Sequence, residues 1–505
     1  MKILVLISVL MSCVFVLSAQ KINFSTPDQE DSRGTNFDII GKINGNILVF
    51  KNNHSSNVIC VLDSNMKTLQ RNNLDFMPER YINIYFIGYP DFAYMIYEYQ
   101  KKNIVHCSAV KIDGNGRKMG EPVDLDTTQI NFAANNKIYS IVYSEDKQHL
   151  MVFKINSKNP KNYLFTTFLF NKQLELIDRH RIDVTMEERT DMFSNFFLDN
   201  DGQLVFAKFQ KSSGTAEYIS KVFLMTKGPL SDTFSIKDIG TNERILDEIK
   251  IKIDNHNKRY ILTGFYYKQR KGNIEGLYTV IWDKATDSKL KETVTVFNDE
   301  LRDVARSSEA NVKMAFNDFF IKNIIVERDG GYLLVGESDF TTTRGSGFNR
   351  WDYMYGYNPW VSPIDYYYSP FYNPYSPGSR YGYGTPTRFN SENILVLSFD
   401  KDGNMEWSNV IKKEQYDDES DHMLSHQIMN SGGELHFLYN QYERRNLMLN
   451  EQSISPDGKI THNPTLRSLD RGYDFMPRFG RQVSSSEIII PCFYRNYICF
   501  AKIDF

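Results

Sequence analysis

The sequence predicts an all-β fold built from repeated four-stranded units, and three features of the chain support this prediction. Short strands rich in β-branched and aromatic residues, such as Ile47–Phe50 and Tyr332–Val335, are bounded by glycine, asparagine or aspartate. Turn signals of this kind recur about eight times, mostly about 45 to 73 residues apart, and helix-forming patterns are scarce. Small sheets repeated at this spacing are typical of a β-propeller, so a propeller of eight four-stranded blades is predicted.

Two turns mark each predicted blade, and both are rich in residues that tolerate the positive φ of tight hairpins. The first turns lie at Asn44–Asn46, Tyr89–Asp91, Asn135–Asn136, Asp199–Gly202, Asp254–Asn257, Arg328–Gly331, Asn430–Gly433 and Ser484–Ser486. The second turns lie at Asp63–Asn65, Asp113–Gly116, Asn171–Lys172, Lys227–Pro229, Asp283–Ala285, Asp400–Gly403 and Pro456–Gly458. Seven blades with one segment packed outside the ring are the alternative, and a pair of β-sandwiches is a weaker one.

The last predicted blade has only three strands of its own, near residues 479–484, 487–493 and 497–504. An unpaired outer edge invites association with other chains. The segment Lys21–Ser25 precedes the first blade and can supply the missing outer strand. We therefore expect the N-terminal strand to complete the last blade and close the ring. A short helix is predicted at Asp299–Ser307, before the sixth blade.

The N-terminus predicts export. Lys2 is the only charge in residues 1–19, Ile3–Leu17 is almost wholly apolar, and Leu-Ser-Ala at 17–19 resembles a signal-peptidase site. We expect a mature chain that starts at Gln20, forms one domain over 20–505 and lies in the periplasm, at the outer membrane or outside the cell. A lipid anchor on Cys13 is disfavoured because the residues that follow Cys13 stay apolar. No later segment has the apolar length of a membrane-spanning helix.

Charge and cysteine content narrow the class of protein further. A formal net charge of −3 gives no electrostatic reason to expect nucleic acid or an anionic membrane as a partner. Beyond Cys13 there are four cysteines, Cys60, Cys107, Cys492 and Cys499, too few for a disulfide scaffold. Core packing is the favoured role for most of them. If Arg495–Asn496 forms a tight hairpin, however, Cys492 and Cys499 face each other across two strands.

An insertion of unusual composition interrupts the sixth blade at about residues 341–390. It holds ten of the 31 tyrosines, six of the 16 prolines and two of the four tryptophans. Its prolines and glycines argue against a regular helix or a central strand, so a long loop is predicted on one rim, before a strand at Asn393–Ser398. A loosely packed low-complexity loop, a protein-contact loop and a carbohydrate platform remain open. The candidate partner-binding residues are Trp351, Tyr353, Tyr355, Tyr357, Trp360, Tyr366, Tyr367, Tyr368 and Tyr372.

No motif for catalysis or metal binding stands out. Asp199–Gly202 and Asp400–Gly403 resemble calcium loops but lack the closing glutamate, so hairpin turns are predicted there. The acidic run Asp417–Asp421, near His422 and His426, reads as a solvated loop rather than a cation site. We expect no metal and no cofactor. A glycosidase needs only two carboxylates positioned by the fold, so an enzyme stays open as an alternative.

The chain resembles secreted bacterial β-propeller proteins in its recurring Asp-x-Asp-Gly hairpins, the following Trp407, its export signal and its low cysteine content. This resemblance implies a fold and no specific activity. The favoured hypothesis is a non-catalytic exported scaffold that binds an envelope protein or a glycan through the aromatic rim loop. The alternative is a carbohydrate-active enzyme, a glycoside hydrolase or lyase, with its site over the central channel.

Overall fold

The structure is a computed structural model that describes residues 21–28, 35–53, 56–131, 137–159, 161–186, 191–212, 218–270, 272–306, 311–343, 350–355, 386–418, 420–443, 446–463, 472–495 and 497–505. Within these residues the chain is nearly all β and forms seven antiparallel sheets. The strands follow one another up and down, and seven of the eight predicted first turns join the strands expected. The turn predicted at Asn135–Asn136 lies outside the described residues; the next two strands along the chain are joined at residues 144–148 instead. We number the successive strand sets units 1 to 8, since the largest sheet contains two of them.

The first three units are four-stranded sheets. Unit 1 contains β2 (Thr35–Ile43), β3 (Asn46–Asn53), β4 (Ser56–Leu62) and β5 (Thr68–Asn73). Unit 2 contains β6 (Asn83–Gly88), β7 (Phe92–Lys101), β8 (Ile104–Asp113) and β9 (Lys118–Gln129). Unit 3 contains β10 (Tyr139–Tyr143), β11 (His149–Asn159), β12 (Asn162–Asn171) and β13 (Leu176–Thr185). In each unit the strands pair in chain order.

Units 4 and 5 share one ten-stranded sheet. Unit 4 contains β14 (Asp191–Phe193), β15 (Phe197–Leu198), β16 (Leu204–Lys211), β17 (Ile219–Lys227) and β18 (Ser235–Asp238). Unit 5 contains β20 (Lys250–Asp254), β21 (Arg259–Tyr267), β22 (Ile274–Asp283) and β23 (Ser288–Val296). The short strand β19 (Ile245–Leu246) pairs with both β17 and β21 and so joins the two units.

The last three units complete the chain. Unit 6 contains β24 (Phe319–Val326), β25 (Tyr332–Thr343), β26 (Pro386–Phe399), β27 (Met405–Ile411) and β28 (Gln415–Asp417). Unit 7 contains β29 (His426–Ser431), β30 (Glu434–Glu443), β31 (Asn446–Ile454) and β32 (Ile460–His462). Unit 8 contains β33 (Tyr473–Phe475), β34 (Arg481–Gln482), β35 (Glu487–Tyr494) and β36 (Tyr497–Asp504), with β1 (Lys21–Phe24) added at its outer edge.

Within a unit, the middle strands are more buried than the fourth strand, as expected for sheets that stack face to face. The middle strands are buried along most of their length, as in β12 and β22. The fourth strands β5 and β13 alternate between more and less exposed residues, because one of their faces meets solvent. Each sheet therefore buries both faces of its middle strands.

The hydrophobic core is divided into clusters that lie between successive units. Phe50 of unit 1 and Met95 of unit 2 share one cluster, for example, and the series continues through the units in chain order. The eighth cluster joins the last unit to the first: the rings of Phe37 and Phe500 lie 5.6 Å apart, edge to face. Small antiparallel sheets that pack against one another in this order are consistent with the predicted propeller fold.

The N-terminal strand lies on the last unit. β1 pairs antiparallel with β36, with Lys21 opposite Asp504 and Phe24 opposite Ala501. A second contact between the chain's two ends is the ion pair of Lys42 with Glu487, whose Nζ and Oε2 atoms are 2.6 Å apart. The segment expected to supply an outer strand is thus paired with β36.

Four of the seven second turns share one local hydrogen-bond pattern. Asp63, Asp113, Asn171 and Asp400 each accept, through Oδ1, the backbone N–H groups two and four residues later. Asp199 has the same contacts at the first turn of unit 4. The two segments that resemble calcium loops are therefore hairpin turns, as predicted. Local side-chain hydrogen bonds explain why these turns are visible in the sequence.

Two α-helices are described, one predicted and one not, besides short 3-10 helices at Val312–Met314 and Pro477–Phe479. Helix α1 (Asp299–Ala305) lies within the predicted span, and Asn298 caps it by accepting the N–H of Leu301. Helix α2 (Arg350–Tyr355) lies inside the insertion, where a regular helix was not expected. Its six residues contain no glycine or proline, and Gly356 follows directly. The strand expected from Asn393 begins at Pro386. No helix among the described residues has the length and apolar character needed to cross a membrane.

Candidate functional site

The insertion leaves and re-enters unit 6 at one end of the sheets. β25 ends at Thr343 and β26 begins at Pro386. Because neighbouring strands are antiparallel, this end is also where β20 and β24 begin. We call it the insertion end. Of the insertion, the structure describes the last residues of β25, helix α2 and the first residues of β26.

Helix α2 packs its apolar side chains onto the insertion end. Trp351 lies against Phe209, with ring centroids 6.4 Å apart, and the ammonium of Lys211 is 4.8 Å from the Trp351 ring. The Tyr353 ring lies 4.6 Å from Phe320, and its hydroxyl donates to Asp339 Oδ2 at 3.0 Å. The helix therefore bridges units 4 and 6.

Arg350 adds a charged anchor at the start of the same helix. Its guanidinium lies 3.9 Å from the centre of the Phe320 ring. Its Nε donates to Asp247 Oδ2 at 2.7 Å, and its Nη1 donates to the carbonyl of Asn317 at 3.0 Å. Burial alone would lower the pKa of Arg350, but the carboxylate of Asp247 outweighs it and raises that pKa. The guanidinium is thus held in its charged form.

The nine aromatic residues predicted to contact a partner fall into two groups. Trp351 and Tyr353 are only 4% and 8% exposed, so the exposure expected for these two is not observed. The reason is that residues before Gly356 can form a helical turn whose apolar side covers the sheet ends. Tyr355 belongs to α2, and nothing is described of its side chain. The other six, Tyr357, Trp360, Tyr366, Tyr367, Tyr368 and Tyr372, lie outside the described residues.

Carboxylates converge beneath α2, and each is matched by a cation or an N–H group. Asp339 Oδ2 accepts from Lys322 Nζ at 2.5 Å. Glu248 Oε1 accepts the backbone N–H of Ile321 at 3.0 Å, and Lys250 Nζ lies 3.6 Å from Glu248 Oε2. Burial raises the pKa of Glu248 and lowers that of Lys250. These contacts fasten unit 5 to unit 6 beneath the helix.

Glu337 forms the centre of a second buried cluster that joins units 6 and 7. Its Oε1 lies 3.0 Å from Lys413 Nζ and 2.8 Å from His426 Nδ1, while Ser425 Oγ donates to Oε2 at 2.5 Å. Burial opposes ionisation, but Lys413 and His426 hold the pKa of Glu337 well below its usual range. Serine, histidine and glutamate are the residue types of a hydrolase triad. Here, however, Ser425 donates to the carboxylate instead of the imidazole, and all three are buried.

Sequence reasoning missed both clusters. Glu337 and Asp339 follow the apolar run Tyr332–Val335 on the same strand, and a charge at such a position is a signal for a buried partner. The partners could not be found in the same way, because Lys413 and His426 lie 76 and 89 residues away along the chain. Lys413 lies between β27 and β28 of the same unit, whereas His426 is the first residue of β29 and approaches through the packing of unit 7 against unit 6.

Residues of the acidic run pair with different cations instead of converging on one site. Asp418 pairs with Arg388 at 2.7 Å, and Asp421 pairs with Arg478. His426 contacts Glu337 instead of the acidic run. In the part of the chain that the structure describes, no three histidine, cysteine, aspartate or glutamate side chains are grouped as metal ligands.

Exposed aromatic side chains flank the point where the insertion returns. Tyr416 and Tyr442 are 44% and 55% exposed, with ring centroids 6.4 Å apart. The guanidinium of Arg388, two residues after the start of β26, lies 4.4 Å from the Tyr416 ring. Neighbouring exposed tyrosines with an arginine are typical of a contact surface. We call these three residues the flanking patch; sequence analysis did not single them out.

No protein-family model matches this chain, and no curated protein matches it. Among solved structures, an ulvan lyase, which is a polysaccharide lyase, is similar with a TM-score of 0.39 at 9% identity, over 82% of this chain and 90% of the lyase. Prolyl oligopeptidase B from Galerina marginata has a TM-score of 0.39 at 9% identity, over 92% of this chain but 56% of the peptidase. An apocarotenoid oxygenase from Synechocystis has a TM-score of 0.34 at 10% identity, over 74% and 72% of the two chains. These neighbours are β-propeller proteins. Similarity at this level assigns no activity, substrate or partner to the chain.

Proposed function

We propose that this chain is an exported eight-bladed β-propeller that has no catalytic role and binds a partner through the insertion end. Eight strand sets, eight clusters between successive sets and the pairing of β1 with β36 support the blade number and the closure of the ring. The apolar leader at 1–19 supports export to the periplasm, the outer membrane or the cell exterior.

One observation carries the binding role: α2 fixes the start of an aromatic-rich segment to the sheet ends. Residues 356–385 leave from this anchored helix and return at β26, beside the flanking patch of Arg388, Tyr416 and Tyr442. Tyrosine and tryptophan supply large contact areas at low entropic cost. The partner would be an envelope protein or a glycan, since aromatic faces suit both.

The same end also argues against chemistry as the main role. Asp247 and Asp339 are each bound by a cation, and Glu248 has Lys250 close to one oxygen. All three carboxylates are buried beneath α2. These carboxylates therefore have a structural role in holding the helix, because a catalytic acid or base must reach a substrate.

The binding role is tested by replacing residues 356–385 with a short Gly-Ser linker that keeps α2 and β26. Immobilised protein is then used to capture an envelope extract and to probe a glycan array. We expect the variant to melt like the intact chain and to lose at least tenfold of the captured signal. A second variant with Tyr416→Ala and Tyr442→Ala is compared with Tyr143→Ala, which changes a tyrosine of similar exposure at the opposite end of the sheets. Equal capture by the intact and shortened chains contradicts the proposal.

A carbohydrate-active enzyme is the second candidate, favoured by the convergence of Asp247, Glu248 and Asp339 beside Phe320. The purified chain is incubated with neutral and uronate-containing polysaccharides, and new reducing ends and unsaturated products are measured. The binding role predicts no product above a heat-treated sample. If the intact chain forms product and the Glu248→Gln variant does not, the chain is an enzyme and the binding role is rejected.

A further inference from the structure

The last hairpin of the chain brings two cysteines together. Cys492 on β35 and Cys499 on β36 are register partners in the antiparallel ladder, and their Sγ atoms lie 3.0 Å apart. Paired residues in such a ladder have Cα atoms about 4.5 to 5.5 Å apart, within the range of about 4.4 to 6.8 Å that a disulfide spans. A bond between the two sulfurs therefore needs no movement of the backbone.

The other described cysteines differ in this respect. Cys60 lies on β4 and Cys107 on β8, in two separate sheets, and both are buried. Cys107 packs within the cluster between units 2 and 3. These two side chains serve as small apolar packing residues and provide internal controls for the reactivity of the pair.

We propose that Cys492 and Cys499 form a cross-strand disulfide when the chain folds in an oxidising compartment. The thiolate of one cysteine attacks an external disulfide, such as that of oxidised glutathione or of a thiol–disulfide oxidoreductase, and releases one thiol. The second cysteine then attacks the protein sulfur of this mixed disulfide and releases the second thiol. Two protein thiols are oxidised, one external disulfide is reduced, and the two protons pass to the released thiolates.

The packing of unit 8 determines when this reaction takes place. Both sulfurs are fully buried in the cluster shared with unit 7. Burial, with a further contribution from the adjacent Cys499, raises the pKa of the Cys492 thiol well above its usual value, so the packed sheet holds little thiolate. The bond must form while the hairpin is still open. Once formed, it fixes β35 to β36, the strand on which β1 lies.

The chain itself offers a sharp test, because trypsin cleaves after Arg495, between the two cysteines. The protein is unfolded, refolded with mixed reduced and oxidised glutathione, quenched with acid, alkylated in denaturant and digested without reductant. We expect peptides 482–495 and 496–502 to be joined, with a mass two hydrogens below their sum. Peptides that carry Cys60 and Cys107 should be alkylated. Alkylation of Cys492 and Cys499 to the same extent as the controls overturns the proposal.

A second measurement does not depend on digestion. The wild-type chain refolded with oxidised glutathione should melt several degrees higher than the chain refolded with dithiothreitol. The variant with Cys492→Ala and Cys499→Ala should melt at one temperature under both conditions, whereas Cys60→Ala should retain the difference. Wild-type protein that melts identically in both buffers also overturns the proposal. Neither result depends on a partner, so the disulfide can fail while the binding role stands.

Discussion

At the scale of single residues, the interfaces between units depend on a few buried carboxylates. Glu98 of β7 is fully buried, and its Oε2 accepts the N–H groups of Ile138 and Tyr139 at 2.9 and 3.2 Å, where unit 3 begins. Burial raises the pKa of Glu98 to about 7, against 4.5 for an unperturbed glutamate. Because the folded-state pKa is the higher one, this group favours folding below about pH 4.5. That contribution is lost as the pH rises towards 7.

Replacing Glu98 with glutamine should therefore remove part of the pH dependence of stability. The amide keeps an acceptor for Ile138 and Tyr139 but carries no charge at any pH. Between pH 5 and 7.5 we expect the wild-type free energy of unfolding to lose about 2 kcal/mol through this group, and Glu98→Gln to lose correspondingly less. Urea unfolding at the two pH values measures the difference. Glu79→Gln, at an exposed position, is the control; identical slopes in wild type and Glu98→Gln contradict the assignment.

The residue scale also separates what the sequence predicts from what it does not. The turn residue Asp113 is predictable, because its hydrogen bonds reach only two and four residues ahead. The surroundings of Glu337 are not, since His426 belongs to another unit and approaches only after the sheets stack. Local patterns therefore predict the strands and turns, whereas the charged clusters at the insertion end follow from long-range packing.

At the scale of elements, α2 is held mainly by tertiary contacts. A six-residue helix has little intrinsic stability in water. Arg350, Trp351 and Tyr353 supply the missing stabilisation through Asp247, Phe209 and Phe320. The helix was not predicted because the insertion as a whole is rich in proline and glycine. All of its prolines and most of its glycines, however, follow Tyr355. The buried aromatic pair thus anchors the start of the insertion.

Removing the charged anchor should release α2 without unfolding the sheets. Arg350→Ala leaves Asp247 buried, with the Tyr267 hydroxyl as its remaining side-chain donor among the described residues, so the helix should detach more often. We expect amide hydrogen exchange in residues 350–355 to accelerate at least tenfold, while exchange in β21 and β25 changes little. Arg328→Ala, an exposed arginine at the opposite end of unit 6, is the matched control. Unchanged exchange in α2 would show that the ion pair contributes no anchoring.

At the scale of the whole molecule, β1 covers the outer edge of the last unit. Without this strand, β36 becomes an exposed edge, and Ile22 and Phe24 no longer cover the cluster between units 7 and 8. A chain that starts at residue 26 should therefore melt at a lower temperature and associate as its concentration rises. Differential scanning calorimetry and light scattering measure the two effects.

A synthetic peptide spanning residues 20–28, added in excess, should raise the melting temperature of the truncated chain towards that of the intact chain, because the vacant edge of β36 accepts it. The same peptide with Phe24→Ala should raise the melting temperature by a smaller amount, since it lacks the ring that stacks 4.0 Å from Tyr473. A truncated chain that stays monomeric and melts like the intact one would show that unit 8 is stable without the N-terminal strand.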